Sequence, residues 1–256
     1  MNIIEQALKL VPAPRREPYR ALVVGTHMVS PQMRRISLGG PDIKRFMGQP
    51  GSSAPAAWIK VFVSSAQGQP VGRAYTIRQF DPHEGRLDID VVLHDLGPLS
   101  RWAAQTKSGD VLSFAGPRDG GFLLRRDTRW LMLVGDASAL PAIESIAATL
   151  PPKLNATVLV QVADEHEIRC IESPAHIRVQ WLVHPDGADG TGPAAQMLDA
   201  VRDWQRPGRG AGQVWLAGEA SCVSQIKNHV LDAWSISPER LSAKGYWRAG
   251  QADFRR

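Results

Sequence analysis

The residues around position 127 separate two sequence textures, and that change constrains the fold more than any single motif. Before it, apolar residues come in short runs bounded by Gly, Pro or Asp-containing turns: YRALVVGTHMV, MRRISL, AAWIKVFV, GRAYTIRQF, GRLDIDVVLH and DVLSFAG. Leu87, Ile89 and Val91 alternate with Asp88 and Asp90, the pattern of a half-buried strand. Six such strands, with one helix around Leu99–Gln105, predict a small antiparallel barrel over residues 19–126. Beyond the change, LMLVGD is a continuous apolar run, as a strand buried on both faces requires. It leads into ALPAIESIAATL, where Leu140, Ile143, Ile146, Ala147 and Leu150 recur at helical spacing. The strands ATVLVQVAD, IRVQWLVH and QVWLAGE follow. Met197, Leu198, Val201 and Trp204 mark one further helix, and Ile226, Val230, Leu231 and Trp234 another. Strands alternating with helices predict a parallel α/β sheet with crossovers over residues 127–256. Residues 1–18 read as an extension, with a short helix ended by Pro12 and Pro14.

A chain of 256 residues is long enough for two ordinary domains. Lys and Arg number 30 against 25 Asp and Glu, a net charge of +5. That balance suits an anionic small ligand. Without a run of Lys or Arg it disfavours nucleic acid. Two cysteines, Cys170 and Cys222, make neither a disulfide framework nor a metal-ligand pair, and read as buried apolar side chains in a reducing compartment. The start, MNIIEQALKLVPAPRREP, carries Glu5 and Lys9 inside its apolar stretch and lacks a signal-peptide layout. No apolar run is long enough to span a membrane, so a cytoplasmic location is expected; a monomer is expected as well. Glu165, His166 and Glu167 are neighbours that cannot converge on one ion, so no bound metal is expected.

Two strings carry chemistry. In RAYTIR, Arg73 offers a fork of donors to a phosphate, Tyr75 a flat face for a ring, and Thr76 a hydroxyl for a ring nitrogen. In HDLGPLSRWA, a helix starting near Pro98 presents backbone N–H groups to a second phosphate. Either string alone equally suits an edge strand with surface charges; together they suit a flavin dinucleotide. Gly135, Asp136, Ser138 and Ala139 turn a buried strand into a helix, the usual nucleotide position of an open parallel sheet. Asp136 could equally cap that helix. Ala217, Gly218, Glu219 and Ala220 form the equivalent turn after a later strand, where Glu219 could also be a cap.

These strings, with GDVLSFAGPR, VGDASALPAI, VWLAGEA and KGYWRAG, make the chain resemble the siderophore-interacting proteins, ferredoxin-reductase-like flavoproteins. Ala137, Ser138 and Leu99 depart from the usual pattern, which has an acidic residue, a threonine and a small residue there. The resemblance implies FAD-dependent reduction of a ferric siderophore, with electrons from NAD(P)H or a ferredoxin. It implies that Arg73, Tyr75, Thr76, Val92, His94, Gly97, Pro98, Leu99 and Ser100 hold FAD. Asp136, Ser138 and Ala139 would meet the nicotinamide nucleotide, and the catalytic pair would be Thr76, whose hydroxyl steers electron and proton transfer at the flavin ring nitrogen, and Glu219 beside the redox centre. Trp247 and Tyr246 would cover the flavin or pack the last strand. Lys60 matches a basic position of the family, and Arg125, Arg126, Lys244 and Arg248 could add to a positive cleft for the iron chelate. The carboxylates Asp164, Glu165 and Glu167 near a strand end weigh against a nucleotide 2′-phosphate. Two rivals stand beside this reading: a flavin-dependent oxidoreductase with another electron acceptor, and a flavin-free module that only binds an iron chelate.

Overall fold

Strand pairing in a computed structural model of the chain, which describes residues 18–64, 68, 70–94, 97–184, 192–207, 210–251 and 254, sorts the elements into two sheets. β1 (Tyr19–Ser30), β2 (Met33–Gly39), β3 (Trp58–Ser64), β4 (Pro70–Asp81), β5 (Arg86–Val92) and β6 (Val111–Arg118) close into a barrel in the order β1-β2-β5-β4-β3-β6. Every neighbouring pair is antiparallel. Alternation puts Tyr19, Ala21 and Val23 of β1 inside while Arg20, Leu22 and Val24 face out. Ile36, Leu38, Ile59, Val61, Ile89 and Phe114 fill the interior. Helix α1 (Pro41–Met47) packs Phe46 edge-on against Phe114 and Tyr19, with centroids 5.1 and 5.4 Å apart. This helix escapes the sequence pattern because it buries just two side chains, Ile43 and Phe46. Helix α2 (Pro98–Gln105) lies against β2, β3, β4 and β5.

β5 corrects the expectation of a half-buried strand. Asp88 and Asp90 are themselves buried, 5% and 4% exposed. Arg35, opposite Asp90 on β2, meets its two oxygens at 2.7 and 2.8 Å, and Arg86 lies 3.5 Å from Asp88. Arginines on neighbouring positions let the polar face of this strand be covered.

The second sheet comprises β7 (Thr128–Asp136), β8 (Asn155–Val162), β9 (His176–Val183), β10 (Ala211–Glu219) and β11 (Leu241–Trp247). It is parallel throughout, in the order β11-β10-β7-β8-β9. Helices α3 (Leu140–Ala147), α4 (Pro193–Asp203) and α5 (Ala220–Trp234) make the crossovers. Leu131 and Leu133 of β7 face α3, while Met132 and Val134 face the core shared with α4 and α5. The barrel and the parallel sheet are the fold class read from the sequence. The short helix expected before Pro12 lies outside the described residues. Among those residues no helix is long and apolar enough to cross a membrane.

Buried carboxylates tie the two sheets together. Glu144 of α3, 4% exposed, accepts from Arg78 of β4 at 2.7 Å and from Arg169 at 2.9 Å. Glu167, 3% exposed, accepts from the Gln32 amide at 2.7 Å and from the Ser30 hydroxyl, both in the β1–β2 hairpin. The run Glu165, His166, Glu167 therefore points apart: His166 turns back to Asp164, and Glu167 braces the barrel instead of facing a nucleotide. The cysteines also depart from expectation, since Cys170 is exposed and Cys222 half-buried.

Candidate active site

Two places carry the candidate residues, and the end of β11 joins them. The first is built on β4, β5 and α2. Arg73 and Tyr75 alternate on β4, so they share a face, and both are half-buried. Tyr75 packs against the barrel core. Its burial pushes the phenol above the ordinary tyrosine range, with the Arg73 charge pulling the other way. Thr76 is buried, and it lies near enough to the Tyr246 phenol to draw that group's pKa down against the larger rise from burial. Pairing sets Ile77 opposite Ile89, which directs the Arg73 end of β4 toward Val92 and the turn into α2. Val92 packs where barrel meets parallel sheet, and His94 is exposed.

The turn itself is shaped for an anion. Gly97 sits at φ 146°, a conformation open to glycine alone, and stands at the N-cap of α2 with no side-chain cap. With Pro98 in the first turn, the amides of Leu99 and Ser100 have no intrahelical acceptor. The side chain of Leu99 is buried in the barrel core, which accounts for a large residue there. The Ser100 hydroxyl accepts from the His94 amide at 2.8 Å and donates to the His94 carbonyl at 2.6 Å, so it closes the turn and leaves its backbone N–H for a ligand. A cationic fork, a flat ring, a hydroxyl and uncapped backbone amides at one barrel edge are the donor set of a flavin dinucleotide. These residues fit FAD.

The second place is the C-terminal edge of the parallel sheet, where a cleft of about 260 Å³ is lined by Asp136, Gln161, Met197, Glu219, Cys222 and Trp247, among others. Asp136 organises it. One oxygen accepts from the Ser138 amide at 2.9 Å and its hydroxyl at 2.5 Å; the other accepts from the Glu219 amide and the Trp247 indole, both at 2.8 Å. Gly218 must be glycine, because a Cβ would lie 2.5 Å from that second oxygen and φ is 141°. Asp136 is not the helix cap offered as its alternative role, since the N-cap of α3 is the buried Ala139. Glu219 does cap α5, accepting from the amides of Ser221 at 2.7 Å and Cys222 at 2.9 Å. Burial raises the Glu219 carboxyl, but hydrogen bonds from Ser221, Cys222 and Ala249 outweigh it and hold the group below its usual range. Burial, then the charges of Asp136 and Glu219, push the Cys222 thiol up to about 12. Tyr246 links the two places: its phenol is raised first by burial, drawn back by Thr76 and raised again by the charge of Asp136.

The basic candidates divide. Lys60 faces outward on β3 with Trp58 and Phe62, its Nζ 5.6 Å from the Phe62 ring centroid. Lys244 Nζ and Trp58 Nε1 both donate to the carbonyl of Asp119, at 2.8 and 3.1 Å. Arg118, missed in the sequence, stacks 5.5 Å over Trp58 and joins this cluster. Arg248 lies over Phe254. Arg125 does not join them. It bonds Gln213 and the Glu239 carbonyl at the starting ends of β10 and β11, about 20 Å along β10 from Glu219. Arg126 is exposed beside it. Among the described residues, no group of three His, Cys, Asp or Glu side chains is placed to hold a metal.

The model of the siderophore-interacting protein family matches residues 128–250, and that of the siderophore-interacting FAD-binding domain matches residues 64–121. The chain is 29% identical to the ferric vibriobactin reductase ViuB of Vibrio cholerae, over 87% of this chain and 86% of that protein. It is also 29% identical to the mycobactin import ATP-binding/permease protein IrtA of Mycolicibacterium smegmatis; 91% of the chain is covered, but it spans about a quarter (26%) of that longer protein. The crystal structure of a siderophore utilization protein from T. fusca superposes with a TM-score of 0.82 at 28% identity, covering 93% of this chain and 95% of that one.

Proposed function

The chain belongs to the siderophore-interacting protein family, and on that premise we propose that it is an FAD-dependent reductase of ferric siderophores. The observation that carries the proposal is the uncapped start of α2 at Gly97, set beside Arg73, Tyr75 and Thr76 on one barrel edge. The barrel, residues 19–126, takes the FAD, and residues 127–256 take the electron donor. NAD(P)H is the favoured donor and a ferredoxin the alternative. The reaction belongs in the cytoplasm, where that donor is made, and one chain holds every residue it needs.

Bound FAD supplies the exchange between a two-electron donor and a one-electron acceptor. Everything else falls to the chain. Arg73 and the Leu99 and Ser100 amides hold the two phosphates. Tyr75 gives the ring a face, and the Thr76 hydroxyl, beside Tyr246, meets the ring edge. Asp136 fixes Trp247 and the Glu219 turn around the cleft that receives the nicotinamide, with Ser138 and Ala139 at its helix start. A carboxylate there also favours the positive charge that the nicotinamide ring gains as hydride leaves. Lys60, Lys244, Arg118 and Arg248 give an anionic chelate its charge partners. One NAD(P)H reduces two Fe(III) to Fe(II) and releases one proton. Hard oxygen ligands hold Fe(II) less well than Fe(III), so the metal is released.

Absorbance of the purified protein, followed by turnover with reduced nicotinamide, a ferric siderophore and an Fe(II) trap, tests the proposal. Visible flavin bands and protein-dependent colour are expected. A colourless protein would leave a binding module, and a flavoprotein that reduces dyes but no ferric chelate would leave a different acceptor.

A further inference from the structure

Arg34, on β2, reaches the C-terminal end of α2. Its Nη1 donates to the carbonyl of Ala103 at 2.9 Å and to that of Ala104. Its Nη2 donates to the carbonyl of Thr106 at 3.0 Å and to the Thr26 hydroxyl at 2.8 Å. The last carbonyls of a helix lack intrahelical donors and carry the negative end of its dipole. A planar guanidinium answers both conditions, because its fork spans several acceptors at once. The other end of the same helix is open, with neither a side-chain cap nor an acidic residue in its first turn. A helix of eight residues is about 12 Å long, so Arg34 stands one helix length from the open amides.

We propose that Arg34 is a positioning residue for the second phosphate of FAD. It fastens α2 to β1 and β2 by its C-terminus, so that the Leu99 and Ser100 amides stay aimed at one point, and it offsets the dipole's negative end. It does not touch the ligand. Leu99 and Ala103 are buried in the barrel core, and Thr106 is tied to Asp110 at 2.9 Å, so α2 keeps its packing without Arg34 and loses alignment. This inference rests on the FAD assignment and adds to it a residue that no spacing in the sequence connects with the phosphate.

Calorimetric titration of the flavin-stripped protein with FAD and with FMN, which lacks the second phosphate, tests it in the parent, Arg34→Met and Arg34→Lys. Arg34→Met should weaken FAD roughly three- to thirtyfold while changing FMN less than about twofold. Arg34→Lys, which keeps the charge but loses the fork, should fall between. The melting temperature of each stripped protein accompanies the titration. Equal weakening of FAD and FMN would make Arg34 a general scaffold residue and overturn the proposal, as would unchanged FAD affinity. Should Arg34→Met not fold, Arg34→Lys together with Thr26→Val, which removes one anchor of the guanidinium, carries the same FAD-against-FMN comparison. A parent that binds no FAD would overturn the cofactor assignment and this inference with it; a parent that binds FAD beside an indifferent Arg34→Met would overturn this inference alone.

Discussion

The indole N–H of Trp247 donates to Oδ2 of Asp136 at 2.8 Å, tying the end of the last strand to the turn after the first strand of the parallel sheet. The same oxygen takes the Glu219 amide at 2.8 Å, so one atom sets the spacing of three chain segments around the cleft. Asp136→Ala removes the acceptor of four hydrogen bonds, from Ser138 (two), Glu219 and Trp247, at a cost of about 1–3 kcal/mol in stability. The nicotinamide KM should rise while FAD content stays at the parental level. Flavin content and stopped-flow reduction at varied donor concentration would check it; an unchanged donor KM would remove Asp136 from the cleft's organisation.

Arg73→Ala should weaken FAD by roughly 1.5–3 kcal/mol, about ten- to a hundredfold or more, because a charged partner of phosphate is lost. FMN should suffer as well, in contrast to the outcome at Arg34. Equilibrium titration with both flavins measures it, and parental FAD affinity would refute the role given to Arg73.

Lys60→Ala should raise the KM for an anionic ferric chelate about three- to fivefold at low salt, leaving flavin content and reduction by nicotinamide alone. The ammonium is half-buried near Phe62, with its stem over Gly72, so it is held at the surface of β3. The effect should shrink as salt rises, since screening acts over about 8 Å at 0.15 M. Kinetics at two ionic strengths decide it.

The two thiols should differ in reactivity. Cys222 is held protonated at neutral pH by burial and by the nearby carboxylates, its pKa pushed up to about 12, whereas Cys170 is exposed. A thiol reagent at pH 8 should label Cys170 first and Cys222 more than about tenfold slower. Mapping the adducts by mass spectrometry at timed intervals would show the order, and equal rates would contradict the burial of Cys222.

Glu219 should contribute to acid sensitivity. Its carboxyl is lowered by the bonds it accepts, so its stabilisation is complete above the unfolded value of about 4.3 and is lost as pH falls through the folded value below that. The stability difference between the parent and Glu219→Gln should therefore be level from about pH 7 to 5 and shrink below about pH 4. Denaturant melts across that range measure it.

Alternation in β1 and the apolar run of β7 made barrel and parallel sheet legible from spacing, because each period reports which faces are covered. The same periods could not report partners. Asp88 and Asp90 look like a solvent face until Arg35 and Arg86 are brought beside them. Glu144 meets Arg78 across 66 positions and Arg169 across 25, too far for any local pattern. RAYTIR and the Gly97 turn were readable because a conformation and a donor set are written in adjacent residues. Arg118 was not, since the residue it stacks on, Trp58, lies 60 positions earlier in the chain. Arg125 was misplaced for the complementary reason: a basic residue in a loop says nothing about which edge of a sheet it borders.

The buried carboxylates that join the two sheets also govern how such a chain can be recombined. Glu144 takes one of its two arginines, Arg78, from the barrel, and Glu167 takes both of its donors, the Ser30 hydroxyl and the Gln32 amide, from there, so the α/β half carries carboxylates that the barrel completes. A chimera pairing this barrel with a relative's α/β half would strand Arg78 or bury a foreign carboxylate unmatched, at several kcal/mol. The transferable unit is the pair of sheets together, and crossovers that respect it must carry residues 30, 78, 144 and 167 as one haplotype.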